Sequence, residues 1–227
     1  CKHVKNSDKL KRYSMFIAGV IFSALGISLI TKAGLGTSPI TSLAFVLTFI
    51  FPHSLGEFTM LVNTVMFLIQ AALLGRAFGK VQLLQLPAAL LFSACIDGWM
   101  YILGFWKTGS YVGQVLMLLL GCVFLGLGIA FEVIPNVLIL PGEGLVRVIA
   151  GLTGWRFGLV KTGFDMSIVA SAVGVSLFFT GHVLGIREGT VLAALIVGSI
   201  SHFFIEKVSN VLEGWIPDYS DAGDACP

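Results

Sequence analysis

Charged side chains are scarce in this sequence, with 14 Lys or Arg and 12 Asp or Glu in 227 residues. A water-soluble surface needs roughly a quarter or more of its residues charged, so a soluble enzyme or soluble binding module is excluded. Cysteine is equally sparse. Cys1, Cys95, Cys122 and Cys226 have no CxxC spacing, which leaves no metal site and no disulfide framework. The Gly-rich "GLGTSP" has no GK[ST] after it, and GxSxG and HExxH are missing. Phosphate-cradle, serine-hydrolase and zincin chemistry therefore have no carrier, and no enzyme activity, cofactor or metal is expected. No basic surface interleaved with aromatics is present, so no nucleic-acid partner is expected either.

What fills the chain is apolar: 56% of residues are hydrophobic and the mean hydropathy is +0.95. Residues 15–31, 58–75, 108–131 and 189–205 contain no Asp, Glu, Lys or Arg. At about 1.5 Å per residue each can cross or nearly cross a hydrocarbon core of about 30 Å. Two further segments, 81–105 and 162–186, span with one acid each, Asp97 and Asp165. The expected fold is an all-α membrane protein of about six transmembrane helices embedded in a lipid bilayer, with no room for a soluble domain. Lys2, Lys5, Lys9, Lys11 and Arg12 precede the first span, and Arg76, Lys80, Arg147, Arg156, Lys161 and Lys207 fall on the same side if six spans alternate. Only Lys32, Lys107 and Arg187 fall opposite. By the positive-inside bias, both termini are expected in the cytoplasm. Residues 1–14 form a basic tail and 208–227 an acidic one. Cys1 is expected to reflect a truncated start rather than a lipidated one, because lipidation would place the basic run outside; no separate cleavable signal is expected. Trp99, Tyr101, Trp106, Tyr111 and Trp155 near the span ends read as an interfacial aromatic belt.

The chain matches itself at an offset of 102 residues. "FSALGISLITKAGLGTSPITSL" (22–43) lies over "FLGLGIAFEVIPNVLILPGEGL" (124–145), so that Phe22, Gly26 and Pro39 meet Phe124, Gly128 and Pro141. Gly56 meets Gly158 and Asn63 meets Asp165; after a short loop difference, Asp97 lies opposite His202. The expectation is a duplication, with repeat one at 15–106 and repeat two at 111–207. Each holds three spans, an odd number, so the second repeat enters the membrane from the opposite side. Each also carries a Gly/Pro break followed by a short segment, 40–51 and 142–154, that reads as a re-entrant half-helix. Non-helical backbone at that depth survives only where protein or water satisfies it, so the breaks are expected to line a polar cavity near the midplane.

Free amides at a half-helix start suit an anion, which nominates Gly34, Gly36, Thr37 and Ser38 as substrate-binding residues, together with Asn63, Glu143 and Asp165. Asp97, His202 and Glu132 read as a proton relay or polar core, since ionisable groups inside a membrane mark a site, a relay or a buried pair. Plainer readings stand beside these. Asp97 could cap a neighbouring helix, Asp165 could neutralise Lys161 four residues earlier, His202 and Glu132 could reach interfacial water, and Glu143 could satisfy its own helix's amides.

At "KAGLGTSPITSLAFVLT" (32–48) and "LPAALLFSACIDGWM" (86–100), the chain resembles the bacterial YczE/YyaS/YitT-type family of integral membrane proteins. The likeness implies a multi-pass protein of the bacterial inner membrane and supplies neither substrate nor catalytic residues. Together the residues and the resemblance lead to the expectation of a secondary transporter, with proton coupling, for a small polar organic anion or zwitterion. A homodimer is compatible with the sequence. A membrane subunit of an ATP-driven importer and a selective channel are the rival readings.

Overall fold

In the computed structural model, residues 6–75, 78–106, 109–135 and 137–212 are described. The basic residues before Asn6, Arg76 and Lys107 of the connections, and the acidic tail from 213 onward lie outside them. The architecture is all helical: α1 (Asn6–Lys32), α2 (Ser42–Ile50), α3 (Leu55–Leu74), α4 (Gln85–Ile102), α5 (Tyr111–Val133), α6 (Pro141–Thr153), α7 (Phe157–Thr180) and α8 (Glu188–Leu212). Among the described residues, six helical segments are long and apolar enough to cross a membrane: Leu10–Lys32, Leu55–Leu74, Gln82–Phe105, Tyr111–Val133, Leu159–Thr180 and Glu188–Val208. These are the six spans expected from hydropathy, with ends shifted by a few residues. The chain is thus a multi-pass membrane protein with a lipid-facing exterior. Tyr101, Trp106, Tyr111 and Trp155 are exposed near helix ends.

Helix starts follow local chemistry. Ser54 and Glu57 form a reciprocal capping box at the start of α3, Ser110 accepts from the Gly113 amide at the start of α5, and Pro141 occupies the first turn of α6. Each satisfies or removes an amide that has no intrahelical partner.

The core is an α1–α5 crossing held at backbone distance by glycine. A Cβ on Gly26 would strike the Gly121 carbonyl, and one on Gly121 would strike Gly26. Gly19 and Gly128 oppose each other in the same reciprocal way. Phe22 and Phe124 stack between the two pairs, ring centroids 6.1 Å apart. Pairs 19/128 and 26/121 make the helices antiparallel, and an offset of 102 maps one pair onto the other, Gly19 onto Gly121 and Gly26 onto Gly128. In a membrane, where hydrophobicity does not drive helix association, such small-residue contacts provide close van der Waals packing.

The remaining helices are arranged around this pair in matching fashion. α4 packs on α1 as α8 packs on α5, and α6 packs on α3 as α2 packs on α7. The tips of the short helices meet: a Cβ on Gly142 would lie 2.6 Å from the Ile40 side chain. The match fails at one place, where α3 packs along α4 but α7 makes no comparable contact with α8.

Candidate functional site

The two breaks lie at opposite ends of the α1–α5 pair. The first follows Lys32, beside the start of α5, where Gly34 approaches Gln114. The second follows Val133, where the Pro135 carbonyl accepts from Arg12 near the start of α1. From these ends the chain returns to the contact between Ile40 and Gly142.

The first break is closed by hydroxyl groups. Thr37 is fully buried and Thr41 and Thr190 nearly so. The Thr37 hydroxyl lies 3.0 Å from that of Thr31 and 3.1 Å from that of Thr41, while the Thr37 amide donates to Thr190 Oγ1 at 3.1 Å. The Gly189 amide donates to the Leu35 carbonyl, and Arg187 donates to the Gly34 carbonyl. Gly36 is required here: its φ of 128° is disfavoured for other residues, and a Cβ would run into the Thr190 hydroxyl. The amides nominated as an anion cradle at Gly34, Gly36, Thr37 and Ser38 are thus packed by the start of α8, with the Thr190 hydroxyl holding the Thr37 amide.

The second break is different. Val137, Leu138 and Ile139 form one wall of a cavity of about 280 Å³ whose other walls include Gln70 of α3, Gln82, Gln85 of α4 and Arg147 of α6. Gln70 and Gln85 are 2% and 5% exposed. The side-chain oxygens of Gln70, Gln82 and Gln85 are all buried without a protein hydrogen-bond partner. Buried polar atoms are nearly always paired, so three in one cavity need an explanation. These three glutamines and Arg147 were missed as site residues by sequence reasoning. The signal was an uncharged amide, Gln70, within a span and close to its end, followed within 15 residues by two more.

The nominated acids separate. Glu132 is 3% exposed, and Ser23 donates to it at 2.6 Å across the α1–α5 crossing. Gly19 and Gly128 leave room for this bond, since a Cβ on Gly19 would meet the Glu132 side chain and one on Gly128 would meet Ser23. Glu143, in the first turn of α6 and partly buried, is close enough to Glu132 for their charges to interact. Asp97 accepts from Ser54 Oγ at 2.6 Å and from the Gly56 amide at 2.8 Å, bracing the start of α3. His202 is exposed on α8 with Glu206 beside it at 3.7 Å, so Asp97 and His202 form no pair. Asp165 lies 3.0 Å from Lys161 on its own helix. Asn63 is buried and donates to the Thr59 carbonyl. Where the tips of the breaks meet, Ile40 and Met66 pack against Gly142, and the cavity is lined by α6 together with the glutamines.

Comparison with known proteins fits this membrane architecture. The family model described as "Family of unknown function (DUF6198)" matches residues 10–206. The chain is 28% identical over 217 residues to "Uncharacterized membrane protein YczE" of Bacillus subtilis (strain 168), covering 95% of each chain. It is 27% identical over 201 residues to "Uncharacterized protein YyaS" of the same organism, covering 87% of this chain and 94% of the relative. No solved structure matches. The chain belongs to the DUF6198 family.

Proposed function

We propose that this DUF6198 member is a secondary transporter that moves a small polar organic anion or zwitterion by alternating access. The observation that carries the reading is the pair of breaks at opposite ends of one glycine-packed crossing, one sealed by Thr190 and the other lining a polar cavity. Two glycine contacts that an offset of 102 maps onto each other support an inverted duplication, and the meeting of Ile40 with Gly142 supports two re-entrant segments. In this reading, exchange of the two breaks' states carries the solute past the helix tips. The amides of Gly36, Thr37 and Ser38 receive its anionic group when Thr190 withdraws. Asn63, Glu143 and Asp165 complete the path. Glu132, the most buried acid among the described residues, carries the coupling proton beside Glu143. The protein acts in the bacterial inner membrane with both termini cytoplasmic, and without enzyme activity.

Uptake by purified protein in liposomes tests this. With amino acids, organic acids, vitamins and sulfur compounds offered under an imposed pH gradient, saturable uptake of at least one solute is expected. Glu132→Gln should remove its dependence on the gradient. Non-saturating conductance would establish a channel. Co-purification with an ATPase, together with absence of uptake, would establish an importer subunit.

A further inference from the structure

We propose that the cavity formed by Gln70, Gln82, Gln85 and Arg147 binds a small organic monoanion whose other polar groups are neutral hydrogen-bond donors, such as a hydroxy acid or an amide-bearing carboxylate. The assignment refines the solute class of the transport reading and rests on it only for what happens after binding. Three buried amide oxygens without protein partners present acceptors, and acceptors select a ligand bearing N–H or O–H groups. Gly144 fixes their placement: a Cβ there would lie 2.8 Å from Gln70 Oε1 and 3.2 Å from Gln85 Nε2, so both amides reach across the bare face of α6.

Charge narrows the class. Among the described residues Arg147 is the only ionised side chain lining the cavity, and it stands at the exposed rim one turn along α6 from Gly144. A guanidinium fork matches a carboxylate. Among the described residues no carboxylate lines the walls, so an ammonium group would be desolvated against amide dipoles alone, at high cost. A zwitterion is therefore disfavoured relative to a carboxylate with a hydroxyl or amide. A volume of about 280 Å³ lies just below the range typical of drug-sized ligands, which suits a small metabolite-sized solute. The wall at Val137–Ile139 is non-helical, as is tolerated at membrane depth where a cavity is lined.

The test is thermal unfolding of the full chain in detergent with six probes. Lactate, oxamate and succinamate combine a carboxylate with neutral donors; propionate lacks the donors, acetamide lacks the charge, and alanine adds an ammonium. The first three should raise the melting temperature at concentrations at least tenfold lower than the other three. Arg147→Gln should weaken the response at least tenfold. Gln70→Leu and Gln85→Leu should abolish it. Without added probe these two variants should melt no lower than the parent, or about 2–4 °C higher, because each removes an unpartnered buried carbonyl. Lower melting of both would make the glutamines structural and overturn the proposal. A response to alanine equal to that of lactate would overturn the ligand class, and no response to any of the six would overturn the site. Uptake separates the two readings. Binding that depends on Arg147 without uptake upholds the site and sinks transport, whereas uptake indifferent to all three variants upholds transport and sinks the site.

Discussion

Around Thr37 the hydroxyls that close the first break bond to one another and to backbone, whereas around Ile139 three amide oxygens have no protein partner. Thr37 and Ile139 stand 102 residues apart, so under the proposed duplication the contrast is between two versions of one device. Each break follows a long helix of the same crossing and leads through a proline, Pro39 or Pro141, into a short one. What differs is the neighbouring helix start. α8 brings Thr190, whose short hydroxyl fits under Gly36 and takes up the Thr37 amide. α4 brings Gln85, which faces Gly144 across the cavity. Unequal polar satisfaction at the two breaks is what the proposed alternating-access reading expects of a molecule viewed in one of its two states.

The contrast can be broken most severely at glycine. Gly36→Ala meets both a disfavoured φ and the Thr190 hydroxyl, so it should cost about 3 kcal/mol or more. Gly144→Ala meets only the far ends of glutamine side chains bordering a cavity and gains helix propensity. It should stay within about 1 kcal/mol of the parent. Equal losses in the two melting curves would erase the distinction. Thr190→Val, which deprives the buried Thr37 amide of its acceptor, should cost about 1–3 kcal/mol. Ser23→Ala should fall in a similar range, since it takes a donor from the buried Glu132; chemical denaturation of both variants gives the comparison. Smallest is Arg187→Ala. Its bond to the Gly34 carbonyl is exposed, and its loss should change stability by less than about 0.5 kcal/mol.

The spans were legible because hydropathy over some 20 residues reports burial in lipid directly. The crossing was legible in part: Gly26 with Gly128 and Phe22 with Phe124 stood out as repeated positions, and in the structure Phe22 stacks on Phe124 while Gly26 and Gly128 face Gly121 and Gly19. The roles of single polar residues were less legible, since they depend on which helix arrives opposite. Asp97 carries the charge that attracts a functional reading, yet Ser54 and Gly56 use it to brace a helix start. His202 lies on the outer face of α8, where a pairing in sequence register does not bring it to Asp97. Gln70 and Gln85 drew no notice because an uncharged amide raises no alarm in a hydropathy scan, and their isolation appears only once α6 is in place.

The most direct test of the two-state account is thiol accessibility at the matched pair. Thr37→Cys and Ile139→Cys would be placed singly in a background with Cys1, Cys95, Cys122 and Cys226 replaced, and treated with a membrane-impermeant thiol reagent from each side. The account predicts that Ile139→Cys reacts from the side of the α1 N-terminus and Thr37→Cys reacts from neither, and that a transported solute slows the first reaction and opens the second from the opposite side. Reaction of both positions from the same side, with or without solute, would contradict it.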